Sequence, residues 1–250
     1  MDSLCAVVVP VYLPRLCEEE AFALDHSIQS LAGRDIFLAA PEALDLSYYL
    51  ERHPSLRVER FEAEYFSSIR GYNRLLLGSN FYERFAGYEF MLLLQTDAIV
   101  FRDDLDLWMK RPFDYVGAPW PGGHELRVAV PPFEGDLAQN VKVHVGNGGL
   151  SLRRNSACLA LLREFPVAVE VFLQSGSSED LFFAFMGMLS RQFVLPNELT
   201  ASQFAFEREP ELYFALNGKT LPMGAHAWCK YSLEFWKAQI NFPDHLFRTQ

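Results

Sequence analysis

Cysteine is sparse: four residues in 250, none of them in a Cys-x-x-Cys pair. That spacing excludes a zinc ribbon and a dithiol redox centre, and Cys5, Cys17, Cys158 and Cys229 are expected to be reduced and mostly in the core. Cations are scarce too. The 22 Lys and Arg against 32 Asp and Glu give a formal charge of −10 and a sequence pI near 5.1. So acidic a chain offers no broad basic face to nucleic acid or an anionic membrane, although one local cation, a metal or a helix N-terminus suffices for a phosphate. Long apolar runs are missing as well. The run at 90–94 is far below the roughly 20 residues that cross a bilayer, and Met1-Asp2-Ser3-Leu4-Cys5 has no positive segment of the kind that opens a signal peptide. The expected location is therefore the cytoplasm. No low-complexity segment, charge block or fixed-period repeat occurs, which excludes fibrous and disordered classes.

What is abundant is apolar and aromatic: hydrophobic residues make up 50% of the chain and 22 residues are Phe. A chain of this length buries a full core without a metal or disulfide staple. Strand and helix signals alternate along the first hundred residues. Residues 6–9 read as a buried strand closed by Pro10, 18–31 as a helix ended by Gly33, 35–39 as a strand ended by Pro41, and 56–61 as a third strand. A helix is predicted over 70–85, stopped by Gly87. Residues 88–94 then form a near-continuous apolar strand, the kind buried on both faces of a parallel sheet. Such alternation predicts a layered α/β fold with right-handed crossovers. Farther on, the Pro- and Gly-rich segment 112–132 reads as loop and 145–152 as a strand. Asn155 and Ser178 stand where N-caps belong, for helices through 165 and over 179–188, and 232–240 reads as a terminal helix. With no linker in sight, one domain is expected over 1–250.

Five places could carry chemistry. In Leu94-Gln95-Thr96-Asp97 an acid follows a buried strand directly, at the sheet's carboxyl edge, where open α/β folds bind ligands. It could hold Mg²⁺ or Mn²⁺ against a diphosphate, or simply cap a turn. Asp103, Asp104 and Asp106 have the wrong spacing for a calcium loop and read as a solvated turn. Gly146-Asn147-Gly148-Gly149 allows close backbone approach to a ligand, or serves a tight turn alone. Glu179-Asp180 opens a helix, where the dipole favours carboxylates and where a general base would also fit. His226, between Gly224 and Trp228, could ligate a metal, stack or merely pack. Arg70-Gly71-Tyr72-Asn73-Arg74 places two cations beside an aromatic ring, enough for a base and phosphates, or for a helix surface.

Taken in order, the motifs resemble glycosyltransferases of the GT-A fold, a Rossmann-type sandwich with a mostly parallel central sheet flanked by helices. The likeness rests on Gln95-Thr96-Asp97, Gly117-Ala118-Pro119-Trp120, Gly146 to Gly149, Glu179-Asp180 and Gly224-Ala225-His226-Ala227-Trp228, and runs from about Val7 to Trp228. It implies a nucleotide-binding half over about 1–110 and an acceptor and catalytic half over about 111–250. By resemblance, Val9, Pro10 and Tyr12 receive the nucleotide, as do Arg70, Tyr72, Asn73 and Arg74. Gln95 and Thr96 border the nucleotide and metal, Asp97 and His226 bind Mn²⁺ or Mg²⁺, and Gly148 and Gly149 line the sugar site. Trp120 would stack on a sugar face. Asp180 would be the base of an inverting transfer and Glu179 would orient the acceptor. Gln95 departs from the family pattern, which has Asp there, and brings no charge to the metal.

The implied donor is a nucleoside-diphosphate sugar, a UDP-sugar first, and the acceptor a glycan or another hydroxyl. Nucleic acid and a transmembrane segment are not expected, while contact with a membrane surface stays open. The length fits a bare catalytic domain, and 121–139 is the segment expected to meet the acceptor. The alternatives are a retaining transferase on the same fold, a non-catalytic sugar-nucleotide or glycan binding module and, last, a metal-dependent hydrolase.

Overall fold

The computed structural model describes residues 4–240. The first three residues, part of the stretch read for a leader, lie outside it, as do 241–250 at the end of the expected catalytic half. The chain opens with β1 (Cys5–Pro10), α1 (Glu18–Ser30), β2 (Asp35–Pro41), α2 (Ser47–Arg52) and β3 (Arg57–Phe61). There follow α3 (Ile69–Leu76), α4 (Ser79–Arg84), β4 (Phe90–Leu94), β5 (Ile99–Val100), α5 (Leu105–Met109), β6 (Tyr115–Gly117), β7 (Pro119–Val128) and β8 (Gln139–Val145). After β9 (Leu150–Arg154) come α6 (Asn155–Glu164), α7 (Pro166–Ser175), α8 (Glu179–Leu189), α9 (Glu198–Phe204), β10 (Ala205–Phe206), α10 (Pro210–Leu216), β11 (Gly224–Ala225) and α11 (Leu233–Gln239).

Six strands form the central sheet in the order β3-β2-β1-β4-β9-β6. The first three pairings are parallel and the last two antiparallel, so the sheet is mostly parallel and flanked by helices, as the alternating signals predict. Its two central strands are apolar throughout because both faces are covered. Ala6, Val8, Met91 and Leu93 pack on one side with Phe81 and Phe85. Val7, Val9, Leu92 and Leu94 pack on the other with Leu24 and Leu38. Each fully buried Val or Leu contributes on the order of 1.5–3 kcal/mol. A third cluster, with Trp228 and Trp236 at its heart, supports a small sheet ordered β10-β11-β5.

Several expectations need correction. The helix predicted over 70–85 is two, α3 and α4, broken at Gly78. Segment 112–132 is not mostly loop: it holds β6 and β7, the latter a long strand paired with β8. Gly122 and Gly123 adopt φ of 76° and 73° where the β7–β8 register is interrupted, a bulge that glycine accommodates. Asn155 is the first residue of α6 rather than its cap, and its amide donates to the carbonyls of Phe85 and Tyr88. The acidic turn is not simply solvated, since Arg34 holds Asp103 at 2.6 Å and Asp106 at 2.9 Å. None of the four cysteines forms a disulfide among the described residues, and two of them, Cys5 and Cys158, are buried. No described helix is long and apolar enough to cross a membrane.

Candidate active site

A cleft of about 660 Å³ opens at the carboxyl ends of β1 and β4, the edge where open α/β sheets bind ligands. At one end β4 stops at Leu94 and the chain turns through Gln95, Thr96 and Asp97. The Gln95 N–H donates to the Gly149 carbonyl at 2.8 Å and its carbonyl accepts from Ala98 at 3.0 Å, which fixes the turn. His226 reaches the same place by another route. β10 and β11 run parallel with Phe206 opposite Ala225, so Glu207 and His226, one residue beyond each strand, emerge side by side. β11 pairs on its other edge with β5, close behind Asp97.

The resulting cluster is tight. His226 Nε2 lies 3.3 Å from Asp97 Oδ1 and 3.2 Å from Gln95 Oε1, while its Nδ1 lies 3.1 Å from Glu207 Oε1. Lys230 Nζ sits 2.6 Å from Asp97 Oδ2. Burial alone would push the imidazole pKa down, but Asp97 and Glu207 outweigh it and hold the group up at about 9. Burial likewise opposes the charge on Asp97, and His226 with Lys230 still keeps it well below the usual carboxylate range. Glu20, on α1, lines this end too; burial raises its carboxyl against a hydrogen bond from Thr96. Gly149 makes room for the imidazole, since a Cβ there would lie 2.1 Å from the ring.

The other end is built on a buried cation. Arg153, on β9, has no exposed side-chain surface and donates to both carboxylate oxygens of Glu179, at 3.0 and 3.2 Å. It also donates to the Tyr82 hydroxyl at 3.0 Å and to Ser151 Oγ at 2.9 Å, with its guanidinium 4.9 Å from the Tyr115 ring centroid. Glu179 is thereby turned toward Gly148, where a Cβ would stand 2.7 Å from Oε1. Asp180 follows in the first turn of α8, its Oδ1 accepting the Leu181 N–H at 2.7 Å. Burial raises both carboxyl groups, opposed at Glu179 chiefly by Arg153 and at Asp180 by hydrogen bonds from Ser178, Leu181 and Gly148. Ser178 holds the N-cap position of α8 but makes no side-chain cap. Asn73 caps the helix instead, its Oδ1 accepting the Glu179 N–H at 3.3 Å. Gln95 links the two ends by donating from Nε2 to the Tyr72 hydroxyl at 3.3 Å.

Most of the expected site residues meet in this cleft. Pro10 and Tyr12 stand at its rim, Tyr72 and Asn73 on its wall, and Gln95, Thr96 and Asp97 on its floor, with Gly148, Gly149, Glu179, Asp180 and His226 around them. Four do not. Val9 is wholly buried in β1, facing the core. Arg70 points away and donates to the carbonyls of Leu173 and Gln174 at 3.1 Å. Arg74 lies over the Tyr65 ring and pairs with Glu64 at 3.5 Å. Trp120 is a core residue, 6% exposed, packed under Gly146 and edge-on to His124, so it has no face to offer a sugar. Nor does any residue of 121–139 line the cleft. Sequence reasoning missed Glu20, Arg153, Glu207 and Lys230. Only Arg153 left a signal, a charge on a strand that runs through the core.

Residues 55–226 match the model of a family described as protein of unknown function (DUF5672). The chain belongs to that family. No curated protein matches this DUF5672 member. Among solved structures it is similar to the galactosyltransferase LgtC in complex with donor and acceptor sugar analogues: TM-score 0.55, 14% identity, 88% of this chain and 86% of LgtC covered. It is also similar to the bifunctional glycosyltransferase WbbM in its apo form, with a TM-score of 0.52 and 12% identity over 100% of this chain and 52% of WbbM. At these identities the likeness is one of fold, and the DUF5672 chain has the GT-A-like sandwich of glycosyltransferases.

Proposed function

We propose that this protein transfers a glycosyl group from a nucleoside-diphosphate sugar to an acceptor hydroxyl, with inversion and with the help of a divalent cation. The observation that carries this reading is one cleft, on a fold shared with glycosyltransferases, with cation-binding donors at one end and a buried carboxylate at the other. Pro10 and Tyr12 border the nucleotide, for which UDP is the first candidate. In this reading about 1–110 form the nucleotide-binding half and about 111–250 the catalytic half.

The donors at the Asp97 end suit Mn²⁺ or Mg²⁺. Among the described residues no three His, Cys, Asp or Glu side chains gather as a metal cage. Ions of this kind, however, are commonly held by one or two protein groups together with substrate phosphates. Asp97, His226 and the Gln95 amide oxygen supply one carboxylate, one imidazole and one carbonyl, all within 3.3 Å of His226 Nε2 or at that atom. Glu207 accepts from Nδ1, so that Nε2 would be the ligand atom once an ion displaces its proton. Such an ion, when bound, neutralises charge gathering on the leaving diphosphate. Lys230, freed from Asp97, adds a second positive charge to that end. At the other end Asp180 accepts the proton of the acceptor hydroxyl as it attacks the anomeric carbon from the face opposite the diphosphate, as in inverting glycosidases with water replaced by the acceptor. Glu179, committed to Arg153, positions that end of the cleft.

A panel of nucleoside-diphosphate sugars, screened by thermal shift with Mn²⁺ present, tests the proposal. A true donor at 100 times its Kd adds about 2.7 kcal/mol of stability, and the anomeric configuration of the product by NMR separates inversion from retention. In calorimetry, Asp97→Ala loses Mn²⁺-dependent nucleotide binding; unchanged binding rejects the metal role. Glu207→Ala weakens Mn²⁺ by roughly 10–100-fold, read from the paramagnetic resonance of the free ion. If the Mn²⁺ titration of this variant matches wild type, Glu207 does not orient His226.

A further inference from the structure

Asn73 is only 6% exposed and lines the cleft. Its orientation is set, because Oδ1 accepts the Glu179 N–H and the amide nitrogen must then point the other way. That nitrogen has no hydrogen-bond partner. A buried amide donor left unsatisfied is costly, and what would satisfy it is an oxygen brought by a ligand. Its neighbours say which part of the ligand. Asn73 adjoins Glu179 at the carboxylate end, whereas Asp97, His226 and Lys230 stand together at the other.

The charge at the Asn73 end is negative. Glu179 and Asp180 both line it. The guanidinium beside them, Arg153, is fully buried and committed to Glu179, Tyr82 and Ser151. Arg70 and Arg74 lie outside the cleft. Among the described residues, then, no cation at this end can receive an acidic substituent, and Asp180 repels one. A hydroxyl is suited to the same place because it can accept from Asn73 and donate to a carboxylate.

We infer that this end of the cleft takes a neutral, polyhydroxylated glycosyl group rather than an acidic sugar, and that Asn73 Nδ2 donates to one of its oxygens. The inference rests on the transferase function proposed above and deepens it, naming the class of sugar and moving Asn73 from the nucleotide to the sugar. It also makes Asn73 a specificity residue, since a site built around a hydrogen bond discriminates strongly against analogues that lack it.

Calorimetry on the whole chain with Mn²⁺ tests both halves, using UDP-glucose against UDP-glucuronate, GDP-mannose against GDP-mannuronate, and free UDP and GDP as references. The neutral member of the accepted pair binds roughly a hundredfold more tightly than its uronate. Uronate binding equal to the neutral sugar overturns the inference and leaves glycosyl transfer standing. Binding of neither nucleotide and none of the four sugars removes the function on which the inference rests, and the inference with it. For Asn73 the variant is Asn73→Asp, which keeps an acceptor for the Glu179 N–H and loses the donor. It binds the free nucleoside diphosphate as wild type does, which also shows that it folds, and binds the neutral sugar nucleotide at least tenfold more weakly. An equal loss for free nucleotide and sugar nucleotide returns Asn73 to the nucleotide and overturns its assignment, as does no loss for either.

Discussion

Asp180→Asn binds its nucleotide sugar as wild type does and turns over roughly 10²–10⁴-fold more slowly, the usual contribution of a general base. The substitution is nearly isosteric and keeps the oxygen that accepts the Leu181 N–H, so the start of α8 is undisturbed. What it loses is the basicity of a carboxylate that burial already raises above its ordinary value. The same burial sets the pH profile. The base acts only when ionised, so kcat is full above the raised pKa and falls as pH drops through it. The acid limb of kcat therefore lies above the ordinary Asp range, near 3.9, and is lost in Asp180→Asn. Transfer at the wild-type rate by the variant rejects the base. A module that only binds sugar nucleotides would show no turnover to lose.

Replacing Arg153 has the largest expected effect on stability. Arg153→Met leaves Glu179 buried and unpaired and takes away the donor to the Tyr82 and Ser151 hydroxyl oxygens. Breaking one side of a buried ion pair in this way costs about 3–5 kcal/mol, a large part of the 5–15 kcal/mol typical of a domain. Urea unfolding measures it, with Glu179→Gln added to separate charge from shape. The double variant recovers part of the loss because no charge is left without a partner. A single variant destabilised by less than about 1 kcal/mol would mean that Glu179 finds water, and that the pair does not hold the cleft wall.

The strands and the acids beside them were legible for one physical reason. β1 and β4 are buried on both faces, so their sequences are continuously apolar, and the first polar residues after such a run stand at a sheet edge. That places Gln95, Thr96 and Asp97 directly. Glu179 and Asp180 were legible as a helix start, although the cap comes from Asn73 on another helix, which no local pattern reveals. Arg70 and Arg74 fall outside the cleft because they are four residues apart and share one face of α3, while Tyr72 and Asn73 belong to the face turned to the cleft. Trp120 is buried although the prolines and glycines around it suggest an exposed loop, because pairing with β8 folds the segment over the core. Glu207 is found only through the register of β10 and β11, two-residue strands too short to show any period. Lys230 and Glu20 owe their places to the same long-range closure, and so the cations missing from the composition were there singly, where they count.

Gly149 ties sheet register to the seating of His226, the proposed cation ligand. It lies just before β9, whose Leu150 stands opposite Leu94 of β4, and its bare α-carbon is where the imidazole rests. A slip of one residue in that pairing would bring Gly148 or the Leu150 side chain against the ring and turn Arg153 to the wrong face of the sheet. Only the correctly registered chain can seat His226 and bury Arg153 together. If the proposed cation site is right, cation-dependent nucleotide binding would double as a proofreading assay for folding: a preparation with misaligned strands would look compact and helical yet fail to take up the ion.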